Sequence, residues 1–150
     1  MAGDLAGLMN RYYPNSTDKN GSQSGVVKKL AFSPCSLLEN PAKARSYCDT
    51  FVKAVKALAG VAPLEVVLLN LNTHSILGDR ALCEYTRDRL NGDCGINSAI
   101  INYADIGVLG MWRVISDLDS YVSVRLHGAV SAFLLGVPFS LFEYHPKCSE

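Results

Sequence analysis

Tyr121-Val122-Ser123-Val124-Arg125-Leu126-His127-Gly128-Ala129 joins an apolar, β-branched run to the start of a small-residue helix. The run from Tyr121 to Val124 reads as a strand. Arg125 then stands at its carboxyl end and His127 in the first helical turn. In an α/β sheet this junction attracts anions, because the unpaired N–H groups of the first turn and the helix dipole both favour negative charge. The stretch predicts a phosphate- or carboxylate-handling site with a titratable group beside it.

Outward from that junction the chain alternates. Val26 to Phe32 reads as a strand, and Asn40-Pro41 supplies an N-cap and a first-turn proline. The helix that follows carries Ala44, Tyr47, Cys48, Phe51, Val55 and Leu58 on one face, and Gly60 closes it. Glu65 to Leu71 is a nearly continuous apolar run, as expected of a parallel strand buried on both faces. Asp79 can cap a helix that runs to about Leu90 and is broken by Gly92 and Gly95. Ser98 to Tyr103 reads as a strand, Ile106 to Leu118 as a helix, Leu126 to Leu135 as a short helix and Pro138 to Tyr144 as a last strand. Ahead of all this, Leu5, Leu8, Met9 and Tyr12 have helical spacing, and residues 14–25 form a polar, turn-rich linker.

Alternating strands and helices at this spacing predict an α/β fold, a Rossmann-like parallel sheet flanked by helices. Residues 1–25 are read as an N-terminal segment and linker, and residues 26–150 as the domain. Ligands of such sheets sit outside the carboxyl ends of the strands. Those ends are Ser33-Pro34-Cys35-Ser36, Asn72-Thr73-His74, Tyr103-Ala104-Asp105, Arg125-Leu126-His127 and Tyr144-His145-Pro146-Lys147. All three histidines of the chain fall in these segments.

Composition narrows the classes. The 150 residues, 49% hydrophobic and 19% charged, suffice for one domain with a buried core. Fourteen basic residues balance fourteen acidic ones, which argues against broad nucleic-acid or anionic-membrane binding but not against a local basic pocket. No apolar run reaches the roughly 18 residues needed to span a bilayer, and Met1-Ala2-Gly3-Asp4 has no signal-peptide character. Cys35, Cys48, Cys83, Cys94 and Cys148 form no CxxC pair. A zinc site is not expected, and the thiols read as small apolar fillers in a reducing compartment.

Each candidate has a plainer reading. Arg125 after a buried strand is either a structural arginine paired with Asp105 or Asp119, or the planar fork for a phosphate or carboxylate. His127 caps or packs, or is catalytic. His74 makes ligand contact or ordinary loop hydrogen bonds. Lys147 is a solvated surface residue or a ligand contact, with Tyr144 beside it, and Ser33 stands at a strand end where it can touch a ligand. Gly128, Ala129, Ser131, Ala132 and Gly136 suit close helix–sheet packing better than a phosphate loop, and neither GxGxxG nor a P-loop is present.

Val122-Ser123-Val124-Arg125-Leu126-His127-Gly128-Ala129, then Leu135-Gly136-Val137-Pro138, then Tyr144-His145-Pro146-Lys147 resembles the polysaccharide pyruvyl transferase family. That family shows a strand ending in Arg-Leu-His, a small-residue helix, a Gly-Val-Pro step and a Tyr-x-Pro-Lys segment. The Asn72, His74 and Asp79 region and the Ser33-Pro34 strand end resemble it more loosely. The resemblance implies the C-terminal half of a GT-B fold, so the chain reads as a fragment of a two-domain enzyme with residues 26–150 as the donor-binding domain. Such a fragment leaves apolar surface exposed and favours association into a homo-oligomer.

The resemblance further implies that phosphoenolpyruvate donates a pyruvyl group to two hydroxyls of a glycan or lipid-linked saccharide as a ketal, in cell-surface polysaccharide biosynthesis. No cofactor and no metal are expected. On this reading His127 protonates the enol methylene, a task for an imidazolium with an unperturbed pKa near 6.5. Arg125 and the helix start hold the leaving phosphate, Lys147 the donor carboxylate, and His74 acts as base for the acceptor. Two rivals use the same architecture: a GT-B nucleotide-sugar glycosyltransferase domain, and a non-catalytic docking domain.

Overall fold

A computed structural model describes residues 27–36 and 40–142. Five strands and four helices alternate: β1 (Lys28–Ser33), α1 (Pro41–Ala59), β2 (Leu64–Asn70), α2 (Arg80–Cys94), β3 (Ala99–Asn102), α3 (Tyr103–Ser116), β4 (Ser120–Ser123), α4 (Leu126–Leu134) and β5 (Phe139–Leu141). All strand pairs are parallel and the order across the sheet is β3-β2-β1-β4-β5. The Rossmann-like α/β expectation holds. The chain steps away from β1 in one direction through β2 and β3, then returns to its other side with β4, so the order reverses between β1 and β4. That reversal opens a crevice at the carboxyl ends of these two strands.

Both sheet faces are buried because the middle of each central strand, Leu30–Phe32 in β1 and Val66–Leu69 in β2, is apolar at consecutive positions. Leu30, Phe32, Val66 and Leu68 pack against Cys48, Phe51, Val55, Cys83 and Leu90 of α1 and α2. Ala31, Val67 and Leu69 point the opposite way, into Met111, Trp112, Ile115 and Ala132 of α3 and α4. Phe32 stacks on Phe51 with ring centroids 4.4 Å apart. The two-residue period of the strands thus divides one continuous apolar run between two layers. Cys35, Cys48 and Cys83 are buried, as small fillers should be.

Local signals explain the helix limits, with three corrections. Asn40 caps α1 through its side chain, accepting from Ala42 N at 2.9 Å, and Pro41 opens the helix as expected. Gly92 does not break α2. It is exposed within the helix, and the helix ends at Gly95, whose φ of 66° supplies the left-handed cap. Asp79 stands at the N-cap position of α2 but makes no side-chain cap bond, because its carboxylate is engaged elsewhere. Helix α3 starts at Tyr103, directly after β3, and is interrupted at Gly107 (φ 64°, ψ −172°), a conformation essentially restricted to glycine. Of the last expected strand, Phe139–Leu141 is seen, and residues beyond 142 lie outside the described set, as does the segment before residue 27.

Candidate functional site

The crevice between β1 and β4 holds a chain of buried hydroxyls. Parallel pairing sets Ser33 opposite Ser123, and their Oγ atoms are 2.7 Å apart. The Tyr121 hydroxyl donates to Ser33 Oγ at 2.6 Å, and Ser123 Oγ donates to the Arg125 carbonyl at 2.7 Å. Each hydroxyl has one hydrogen, so the order is fixed: Tyr121 to Ser33, Ser33 to Ser123, Ser123 to the backbone of Arg125. Ser123 Oγ also accepts from Arg125 N at 3.1 Å. Burial pushes the Tyr121 phenol up to about 12, with its serine partners pulling the other way. These bonds clamp both backbone groups of the residue that begins α4.

Above this chain lies Gly128. A Cβ there would fall 2.8 Å from Ser123 Oγ and closer still to the Tyr121 hydroxyl. Only glycine lets the first turn of α4 approach the strand this closely, so the small-residue series packs helix on sheet, in line with the sequence reading.

Arg125 is held from the side. Its Nε donates to Asp79 Oδ2 and its Nη2 to Asp79 Oδ1, the latter at 2.7 Å. The partner is therefore neither Asp105 nor Asp119. Asp105 accepts from Asn102 Nδ2 at 2.8 Å, and Asp119 accepts from Lys29 N at 2.9 Å. Asp79 is fully buried, while the Arg125 side chain keeps 18% exposure. Pairing with Asp79 does not exclude Arg125 from ligand contact, because it also lines a cleft.

That cleft, about 410 Å³, lies between α3 and α4. Tyr103, Met111 and Trp112 form its apolar wall, and Arg125, His127 and Ser131 its polar one. The volume falls in the range of small-ligand sites, and an apolar body with a few convergent polar groups is their usual composition. His127 is exposed in the first turn of α4. The cleft wall is thus formed jointly by a guanidinium, an imidazole and a helix start.

The other expected residues fall elsewhere. Ser33 is fully buried and its hydroxyl is used within the Tyr121–Ser33–Ser123 chain, so it supports the site and does not face a ligand. His74 Nδ1 accepts from Ile76 N at 3.2 Å and from Leu77 N at 3.1 Å. Nδ1 is thus engaged within the His74 loop itself, the ordinary loop hydrogen bonding that was one of its two readings. Tyr144 and Lys147 lie outside the described residues. Sequence reasoning missed the hydroxyls of Tyr121 and Ser123 and the pairing of Asp79. The signal available was topological: the ends of β2 and β4 both border β1. Among the described residues no cluster of His, Cys, Asp or Glu is arranged to hold a metal ion, and no helix is long and apolar enough to cross a membrane.

The sequence profile of the polysaccharide pyruvyl transferase family matches residues 2–146. No curated protein matches the chain. Among solved structures it is similar to an uncharacterized protein from Corynebacterium glutamicum, with a TM-score of 0.48 and 12% identity over 79% of this chain and 86% of that one.

Proposed function

The chain belongs to the polysaccharide pyruvyl transferase family, and from that premise we propose that the cleft beside α4 binds phosphoenolpyruvate and transfers its pyruvyl group to a glycan. The carrying observation is that Arg125 and His127, two residues apart at one helix start directly after β4, line the same cleft. Phosphoenolpyruvate needs a fork for its phosphate and an acid for its methylene, and these two side chains supply both.

In this reaction His127 gives its proton to the methylene carbon. The electron pair of the enol double bond forms the new C–H bond and leaves C2 cationic, stabilised by its attached oxygen. One sugar hydroxyl adds to C2. The C2–O bond to phosphate then breaks, phosphate departs with the bonding pair against Arg125 and the N-terminus of α4, and the second hydroxyl closes the ketal. One hydroxyl proton restores the imidazolium and the other leaves on the phosphate. Lys147 and Tyr144 complete the donor contacts in this proposal, and residues 26–150 form the donor half of a GT-B-like pair of domains, working in the cytoplasm on a cell-surface or lipid-linked saccharide.

A second reading rests on the cleft itself. Its lining includes the exposed Tyr103 and Val108, an apolar wall that suits a nucleobase, as in a nucleotide-sugar transferase. Titration of the chain with phosphoenolpyruvate and with a nucleoside diphosphate, followed by amide and imidazole NMR shifts, separates the two. Saturable shifts at Arg125 and His127 with phosphoenolpyruvate support the pyruvyl reading. A stronger response to the nucleotide overturns it, and silence with both ligands leaves a docking domain.

A further inference from the structure

The donor reading leaves one buried ionisable group without a role. Asp79 is fully enclosed, begins α2, and yet contributes no side-chain bond to that helix. Its carboxylate instead takes four donors from three strand ends. Ser36 N, after β1, donates at 2.9 Å, and Asn72 N, after β2, at 3.3 Å. Arg125 Nε and Nη2, after β4, supply the other two, Nη2 at 2.7 Å. Two loop backbones fix the carboxylate, and the carboxylate fixes two adjacent nitrogens of the guanidinium. A planar group held through two such nitrogens has its plane set.

We propose, resting on the donor reading above, that Asp79 is the positioning residue of this site. It orients the Arg125 guanidinium at the cleft wall, so that the anion is recognised by fork geometry and not by surplus positive charge. The argument is one of sign. The Asp79–Arg125 pair carries no net formal charge, so a site working by charge alone would bind an anion better once the carboxylate was neutralised. A site working by orientation binds it worse, because the guanidinium loses the partner that sets its plane. Asparagine at 79 also turns an amide NH₂ towards donors that now meet an oxygen.

The test is calorimetric titration of phosphoenolpyruvate into the 150-residue chain, comparing wild type with Asp79→Asn and Arg125→Lys, with folding checked by circular dichroism. Loss of one oriented charged hydrogen bond is expected to weaken binding roughly tenfold to a hundredfold in Asp79→Asn, although the site gains a positive charge. Arg125→Lys keeps the charge, loses the fork, and is expected to weaken binding by a similar factor. In an Arg125→Ala background, Asp79→Asn should add no further loss, which a merely structural role would not produce. If Asp79→Asn does not fold, Arg125→Lys decides the matter alone. Wild-type binding that Asp79→Asn equals or exceeds, or that Arg125→Lys retains in full, overturns this inference and leaves the donor reading standing. A wild-type chain that does not bind phosphoenolpyruvate overturns both.

Discussion

Ser33 and Ser123 lie opposite one another on β1 and β4, with their hydroxyl oxygens 2.7 Å apart and Tyr121 donating into the pair from below. Ser123 Oγ takes part in three hydrogen bonds, with Ser33 and with both backbone groups of Arg125. The Tyr121 hydroxyl donates one. Ser123→Ala is therefore expected to cost about 1–3 kcal/mol of stability, because it leaves buried partners without bonds, and Tyr121→Phe only about 1 kcal/mol. Urea unfolding of the two variants checks the order, and a larger loss in Tyr121→Phe would contradict it.

Three glycines should respond differently to alanine. At Gly128 the added methyl meets the Ser123 and Tyr121 hydroxyls, and a loss of about 1–3 kcal/mol is expected from overpacking. At Gly95, where φ is 66°, the strain is about 1–2 kcal/mol. Gly92 lies inside α2 with nothing near the position of its missing Cβ, so alanine there is expected to stabilise by about 0.4–1 kcal/mol. Thermal melts of the three variants give the comparison directly.

Arg125→Ala is expected to be costly to the fold as well as to the site. It strands the fully buried Asp79 carboxylate, and breaking a buried pair from one side costs about 3–5 kcal/mol. The double variant Asp79→Asn/Arg125→Ala removes both charges and should recover part of that loss. Denaturant midpoints measured side by side would show the recovery, and an additive double variant would rule out the coupling.

Alkaline pH should destabilise the chain. Burial raises the Cys48 thiol from 9.0 to about 11, raises Cys83 as well, and raises the Tyr121 phenol from 10.0 to about 12. Above pH 9 the unfolded chain releases protons that the folded chain still holds, so stability is intact below pH 9 and falls as pH rises towards 11. Cys48 alone contributes a loss on the order of 1–2 kcal/mol between pH 8 and pH 10.5. Urea unfolding at those two pH values is the measurement, and equal midpoints would contradict the assignment. The same burial predicts that Cys48 and Cys83 resist thiol reagents until the chain unfolds.

The parts of the fold legible in the sequence were those carried by apolar period and capping chemistry. The nearly continuous apolar run from Glu65 to Leu71 reads as a strand buried on both faces, and Asn40-Pro41 reads as a helix start, and both are found. The junction at Arg125 and His127 was legible for the same reason, since it lies where one period changes to another. The rest depends on quantities that local sequence does not carry. Asp79 lies 46 residues from Arg125, and its pairing follows from strand order, not from spacing. Ser33 was placed at the right strand end, but whether its hydroxyl faced a ligand or the interior depended on where the Tyr121 phenol reached. Gly107 sits in an apolar stretch that reads as unbroken helix, and its positive φ becomes visible only in three dimensions. For His74 the sequence leaves ligand contact and loop hydrogen bonding open, and only the folded turn shows its Nδ1 accepting from Ile76 N and Leu77 N.

The contact between Ser33 and Ser123 spans 90 residues of chain. Closing so long a loop carries a large entropic cost and belongs to the slow, non-local part of folding. The hydroxyls that clamp Arg125 cannot line up until β4 has docked beside β1. A partly folded chain with β1, α1, β2 and α2 assembled would have a core but no clamped arginine. Completion of the Arg125 clamp therefore reports that β4 has docked beside β1.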